Sequence, residues 1–356
     1  MSALPPGSTI GILGGGQLGR MLANAAAELG FDVAIYTPEA DSPASRVAAH
    51  TIVGDYLDQA KLADFAKRVD VVTSEFENVP AETAAALIAA GVRVAPNPRA
   101  LAVAQDRVEE KRFFNANGIA TASFAEVNSQ PELEAALTTI GTPSILKTRR
   151  MGYDGQGQAR IMSPADAAGA FDKIGAKPAI LEGFCKFETE VSIIAARALD
   201  GGFEAYALCE NTHKNGILDR TIAPARCSDL TVQTARDEIH RIMDALDYVG
   251  VLTIEFFLMP DGALIANEMA PRVHNSGHWT IEGAATSQFE QHIRAIAGWP
   301  LGATTQLANV EMINLIGADV EDWRNYALDA DAHLHLYGKR NARPGRKMGH
   351  VTRLKR

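Results

Sequence analysis

Short apolar strands alternate with helices through the first hundred residues, and no other feature limits the possible folds so tightly. "TIGIL" (residues 9–13) reads as a strand that runs into a glycine turn and then the helix "QLGRMLANAAAELG", closed by Gly30. "DVAIY" and "VDVVTSE" repeat the strand pattern, while "DQAKLADFAKR" and "PAETAAALIAAG" repeat the helical one. Strands that are apolar throughout are buried on both faces, which implies a parallel sheet covered by helices. The two prolines of "VRVAPNPRA" mark the exit from this Rossmann-like N-terminal domain, placed at residues 1–98. Gly14, Gly16 and Gly19 fit G-x-G-x-x-G, the spacing that offers a helix N-terminus to a pyrophosphate, so an NAD-dependent oxidoreductase is one reading. The fingerprint is incomplete, because the second strand ends in Tyr36-Thr37-Pro38 and Glu39 falls two residues late for the ribose-binding acid.

After residue 98 the pattern becomes α+β. "RALAVAQDRVEEKRFFNANG" reads as one long amphipathic helix ended by Gly118, followed by the strand "PSILK", the loop "TRRMGYDGQGQ", the strand "ARIM" and a helix from "SPADAAGAFDKIG". These make a first α+β unit at 99–180. The strands "AILEGF", "TEVSIIAARA", "FEAYALCE" and "GILDRTIA", a helix near 231–247 and the hairpin "VLTIEFFLMPDGALIANEM" make a second at 181–299. "NVEMINLIG" and "AHLHLYG" suggest a small, mostly β segment at 300–356. With 47% hydrophobic and 22% charged residues the chain can bury an ordinary core, and its formal charge of −9 argues against a nucleic-acid partner. Cys185, Cys209 and Cys227 form no C-x-x-C pair, which suits a reducing compartment and argues against a disulfide framework or zinc site. With no charged leader and no apolar run of membrane-spanning length, the expectation is a cytoplasmic chain with no membrane partner.

The hairpin carries the sharpest chemical signal. Taking Asp261-Gly262 as a two-residue turn pairs Pro260 with Ala263, Leu258 with Ile265 and Glu255 with Glu268. Facing carboxylates repel, so something positive is expected between them: Mg²⁺, with Asn267 adjacent, or more plainly a nearby Lys or Arg. In "LKTRRMGYDGQGQ", Lys147 ends an apolar strand before Gly152, Gly155 and Gly157, a loop whose backbone N–H groups can approach phosphate oxygens. It is not a P-loop, and alone it could be a flexible turn. Directly after the second carboxylate strand, "NEMAPRVHNSGHWT" crowds Arg272, His274, Asn275 and His278, donors suited to an anion or polar substrate.

Together these stretches resemble the ATP-grasp superfamily, and within it the 5-(carboxyamino)imidazole ribonucleotide synthase family. "GILGGGQLGRM", "SEFENVP", "QDRVEEKRF", "LKTRRMGYDGQGQ", "ENTHKNGILDRTIAPA", "FFLMPDGALIANEMAPRVHNSGHWT" and "GKRNARPGRKMGH" carry the resemblance in order along nearly the whole chain. It implies a pre-ATP-grasp domain, two ATP-grasp subdomains and a small C-terminal domain. It also implies a carbon–nitrogen ligase that uses ATP and bicarbonate to carboxylate 5-aminoimidazole ribonucleotide through carboxyphosphate, releasing ADP and phosphate. Arg107 and Lys147 then resemble ATP phosphate ligands, with Gly152, Tyr153, Asp154, Gly155, Gln156, Gly157 and Gln158 as the loop over the phosphates. Glu182, Gly183, Phe184 and Cys185 resemble the adenine-reading strand, Glu190 the ribose acid, and His213 and Asn267 further parts of the nucleotide pocket. Glu255 and Glu268 match Mg²⁺ ligands, with Mn²⁺ as an alternative ion.

Lys147, Arg272, His274 and Asn275 match the catalytic region where bicarbonate and acceptor meet. Lys339, Arg346 and Lys347, in a basic tail that could otherwise be a solvated terminus, resemble ligands of the substrate's ribose phosphate. Tyr153, Asp154, Glu75 and Asn275 fall at the imidazole, amine or sugar, and Gln17 and Leu18 at the first glycine turn. A homodimer is implied as well. The loop departs from the family at Met151, where glycine is expected, and at Gln156, where arginine is frequent. Competing readings are a formate-dependent glycinamide ribonucleotide transformylase of the same superfamily, the oxidoreductase above, and a regulatory nucleotide-binding module.

Overall fold

The computed structural model describes residues 3–152 and 157–355. Its N-terminal part is a five-stranded sheet of β1 (Thr9–Leu13), β2 (Asp32–Thr37), β3 (His50–Val53), β4 (Val71–Ser74) and β5 (Arg93–Val94), in the order β3-β2-β1-β4-β5. All four pairings are parallel, and Ile10, Ile12, Val71 and Val72 are fully buried, as strands apolar throughout require. Strand order reverses between β1 and β4, so the crevice beyond their carboxyl ends is the expected ligand side of this sheet.

A second, four-stranded sheet joins β6 (Phe124–Val127), β7 (Ser144–Thr148), β8 (Gln158–Ile161) and β9 (Ala179–Gly183). The third sheet has nine strands: β10 (Thr189–Arg197), β11 (Phe203–Ala205), β12 (Cys209–Lys214), β13 (Ile217–Ala223), β14 (Gly250–Leu258), β15 (Leu264–Ala270), β16 (Asn309–Ile316), β17 (Ala332–Leu336) and β18 (Lys347–Lys355). The C-terminal strands extend this sheet, because β16 pairs with β13, and β18 lies between β16 and β17. The basic tail is therefore a structural strand from Lys347 onward.

Several elements differ from the sequence reading. The long helix splits into Pro98–Ala104 and Arg107–Ala116, since Asp106 is extended and its carboxylate caps the Val108 and Glu109 N–H groups at 3.1 and 3.4 Å. The break frees the Arg107 N–H to donate to Arg149 O at 3.0 Å, tying the new helix start to the residue just after β7. "FEAYALCE" divides into β11 and β12, and the "SPADAAGAFDKIG" helix breaks at Gly169, whose φ of 67° is left-handed.

The helix Gln288–Ala297 pins the first sheet to the third. His292, fully buried, lies with Nε2 2.7 Å from Thr73 Oγ1 of β4, while Nδ1 accepts from the Val251 N–H of β14 at 3.1 Å. A backbone N–H can only donate, so Nδ1 is unprotonated and the Nε2 proton serves Thr73. Burial pushes the imidazole down to about 4, so the folded state stays neutral where the unfolded chain takes up a proton. Stability is then complete above the unfolded value near 6.5 and declines as pH falls toward 4, by about 1.4 kcal/mol per pH unit. Urea unfolding at pH 7 and pH 5 is expected to differ by roughly 2 kcal/mol from this group. His292→Gln, which offers the same acceptor and donor without titrating, should remove that increment. An unchanged pH dependence in the variant would reject the assignment.

Candidate active site

The two carboxylates meet as the spacing suggests, but by another route. The turn holds three residues, Pro260 to Gly262, closed by Met259 N–H to Ala263 O and by Gly262 N–H to Met259 O, both 2.9 Å. Gly262 takes φ 86°, the left-handed position such a turn assigns to glycine. Near the turn the register is therefore one residue off the two-residue expectation: Leu258 faces Leu264, and Phe256 faces Ala266. A β-bulge at Asn267 restores the count, so that Glu255 faces Glu268. The bulge leaves the Asn267 Oδ1 buried with no hydrogen-bond partner among the described residues.

One cation and one neutral imidazole approach the pair, since burial and nearby cations hold the His274 imidazole well below its ordinary value. Arg107 donates to Glu268 at 3.1 Å, and His274 Nε2 lies 3.7 Å from Glu255. Burial and the facing Glu268 push the Glu255 carboxyl up; for Glu268 the Arg107 charge and hydrogen bond outweigh burial and hold it down. The plainer alternative of a bridging arginine is thus realised at Glu268 and not at Glu255. Two facing carboxylates, with an orphaned amide oxygen lining the same cavity, offer oxygen donors of the kind that fits Mg²⁺ or Mn²⁺.

Around this pair lies a cavity of about 330 Å³. Of the sequence-chosen residues it gathers Arg107, Lys147, Gly152, Gln158, Glu190, His213, Asn267, Arg272, His274, Asn275 and Lys347. Lys147 donates to Glu182 at 2.5 Å, with buried Lys111 3.6 Å from the same carboxylate. Burial opposes ionisation of Glu182, but these two lysines hold its carboxyl down at about 2. Glu190 lies 3.1 Å from His213 Nδ1, and both line the cavity together with Glu255. Arg272 donates from Nε to Glu77 at 2.6 Å and from NH1 to Val273 O at 3.1 Å. His274 Nδ1 accepts from the Ser276 N–H at 3.3 Å, which places the imidazole proton on Nε2, facing Glu255. Both polar atoms of the Asn275 side chain are buried without partners among the described residues, although Asn275 lines the cavity. Lys339 donates to Lys347 O at 2.8 Å, so it supports the strand start that presents Lys347, while Arg346 is bonded to Asn341 O at 3.0 Å.

The first glycine turn differs from its sequence reading. The anion at that helix N-terminus belongs to the protein: Glu75 accepts from the N–H groups of Gly16 and of Gly19, the latter at 2.8 Å. A Cβ at Gly16 would sit 2.5 Å from the Glu75 carboxylate, so the glycines make room for this side chain. Leu18 is a core residue at 7% exposure, leaving Gln17 as the more accessible of the two contacts chosen there. Tyr153, Asp154, Gly155 and Gln156 lie outside the described residues. Met151 is described and takes φ 62°, the left-handed region in which glycine costs nothing and methionine is strained, in keeping with the departure noted there. Glu77, Glu110, Lys111, Arg149 and Arg150 were not singled out; Glu77 lies two residues past Glu75 in "SEFENVP", so alternation along that segment was the available signal.

Residues 8–105 match the ribonucleotide synthetase preATP-grasp domain, 112–289 the ATP-grasp domain, and 311–356 the phosphoribosylaminoimidazole carboxylase C-terminal domain. The N5-carboxyaminoimidazole ribonucleotide synthase of Brucella melitensis is 52% identical, over 99% of this chain and 98% of its own length. The chain belongs to the N5-carboxyaminoimidazole ribonucleotide synthase family. The Pseudomonas aeruginosa synthase is 51% identical over 96% of this chain and 93% of its own length. The synthase from Staphylococcus aureus, solved with ADP, superimposes with a TM-score of 0.95 at 36% identity, covering 100% of this chain and 95% of its own. The Aspergillus clavatus synthase, solved with ADP and 5-aminoimidazole ribonucleotide, gives 0.91 at 32% identity, covering 98% and 94%. As a member of this synthase family the chain is an ATP-grasp ligase of purine biosynthesis, with ATP as co-substrate. The oxidoreductase reading is set aside, since the turn it rested on is filled by Glu75.

Proposed function

We propose that this cavity joins bicarbonate to the amine of 5-aminoimidazole ribonucleotide at the expense of ATP, giving 5-(carboxyamino)imidazole ribonucleotide, ADP and phosphate. The observation that carries the residue roles is the buried Glu255–Glu268 pair in one cavity with Arg107, Lys147, Arg272, His274 and Asn275. Bicarbonate is a poor electrophile, so its oxygen first attacks the γ-phosphorus, ADP leaves, and carboxyphosphate forms. Lys147 and Arg107 oppose the charge gathering on the phosphoryl oxygens. Glu255 and Glu268, with Asn267 adjacent, would hold Mg²⁺ or Mn²⁺, which supplies Lewis-acid charge neutralisation when bound. Arg272, oriented by Glu77, holds the carboxylate end, and His274 offers its Nε2 proton as a neutral hydrogen-bond donor. The acceptor amine then attacks the carbonyl carbon, phosphate leaves, and the amine proton is lost. Lys347, at the cavity, and Lys339, behind it, suit the substrate's phosphate end.

The reading is tested by phosphate release with ATP and Mg²⁺, comparing bicarbonate with formate and each with aminoimidazole or glycinamide ribonucleotide. Bicarbonate with the aminoimidazole substrate is the productive pair expected, and formate dependence would overturn it. The implied homodimer is checked by light scattering. No helix among the described residues is long and apolar enough to cross a membrane, and a cytoplasmic location is proposed on the family's role.

A further inference from the structure

The bulge at Asn267 decides whether Glu268 faces Glu255, yet β15 is an edge strand, where an extra residue has no second neighbouring strand to hold it. The exposed side of that edge is filled by the helix Arg107–Ala116 and the segment after it. Lys111, 1% exposed, donates from Nζ to Ala266 O at 3.1 Å and to Asn267 O at 2.6 Å. Glu110, 2% exposed, accepts from the Met269 N–H at 2.6 Å, and the Ala266 N–H donates to Ala120 O at 2.8 Å. The backbone groups on both sides of the bulged residue are therefore satisfied by two consecutive side chains of one helix. The first residue of that helix, Arg107, bonds the Glu268 carboxylate itself. Lys111 also sits 3.6 Å from Glu182 on β9, so its ammonium ties the nucleotide-side sheet to the carboxylate strand.

Burying an acid and a base in one turn is costly. Among the described residues neither side chain makes a hydrogen bond or ion pair to the facing carboxylates, although Glu110 lines the same cavity and feels the Glu268 charge. From this geometry we infer that Glu110 and Lys111 are positioning residues that clamp the β15 bulge, holding Glu268 in register with Glu255 for a divalent cation. The inference rests on the proposed role of that pair.

The test measures Mn²⁺ binding by electron paramagnetic resonance in the presence of ADP, so it does not depend on turnover. Glu110→Ala is expected to raise the Mn²⁺ dissociation constant roughly tenfold, whereas Glu110→Gln, which keeps an acceptor for the Met269 N–H, should stay within about twofold. Lys111→Met is expected to weaken Mn²⁺ and ADP together, because it loosens both sheets. Wild-type affinity in Glu110→Ala, or an equal loss in Glu110→Gln, would overturn the clamp while leaving the carboxylate pair intact as a metal site. Absence of Mn²⁺ binding by the wild-type protein would instead remove the metal site, and the clamp's purpose with it. Should the alanine and methionine variants fail to fold, hydrogen exchange on the wild type decides. The Met269 amide is expected to be strongly protected, and exchange at the rate of a free edge amide counts against the inference.

Discussion

Glu268→Gln is expected to abolish bicarbonate-dependent ATP cleavage and to leave the fold intact. Glutamine keeps an oxygen for Arg107 NH1, which lies 3.1 Å from the Glu268 carboxylate, and it removes a negative charge that faces Glu255 across the hairpin. Arg107 loses a charged partner while Glu255 is relieved of a facing charge, so a small net change in stability is expected, and a large loss of activity is then chemical rather than structural. The loss is expected to be large, about 10³-fold in kcat/KM, because charge neutralisation at a phosphoryl group supplies several kcal/mol. Glu255→Gln is expected to behave alike. The measurement is phosphate release over a range of Mg²⁺ concentrations, with a melting curve for each variant. Near-normal turnover in either variant would sink the metal assignment.

How the pair comes to face each other also shows what the sequence reveals and what it hides. Hairpin strands announce themselves by apolar alternation, and Asp-Gly marks a turn. The turn's length and the bulge, however, depend on the partners of an edge strand, and Lys111 and Glu110 come from a helix about 155 residues earlier. Two register errors cancelled: the turn took one more residue than expected, and the bulge restored the count at Glu268. Asp106 was legible only as part of a continuous helical run, because its capping role follows from a tertiary demand, the bond from the Arg107 N–H to Arg149 O. The first glycine turn was legible as a helix start but not as a cradle for Glu75, since the spacing says nothing about which anion fills it. The stretches that reach the cavity were easier to read. Arg272, His274 and Asn275 are neighbours in sequence, and the strand before them fixes where they emerge.

Arg272→Ala is expected to cost both the reaction and much of the stability, and the two losses can be separated. Arg272 and Glu77 are ion-paired at 2.6 Å across the cavity wall, with side-chain exposures of 18% and 28%. Burial opposes ionisation of Glu77, but the Arg272 charge and hydrogen bond hold its carboxyl down, and removal of the guanidinium leaves that carboxylate uncompensated. Breaking a buried pair from one side typically costs 3–5 kcal/mol; since Glu77 keeps some contact with the cavity, about 3 kcal/mol is expected. Adding Glu77→Ala removes the stranded charge, so the double variant should recover most of the stability in urea unfolding, a non-additivity of roughly 2 kcal/mol. Catalysis should not recover, because neither variant presents a guanidinium to the carboxylate of bicarbonate. Additive stability losses would mean that the pair is not energetically coupled. Activity restored in the double variant would mean that Arg272 acts only by neutralising Glu77, and its assignment as the bicarbonate-holding residue would have to be given up.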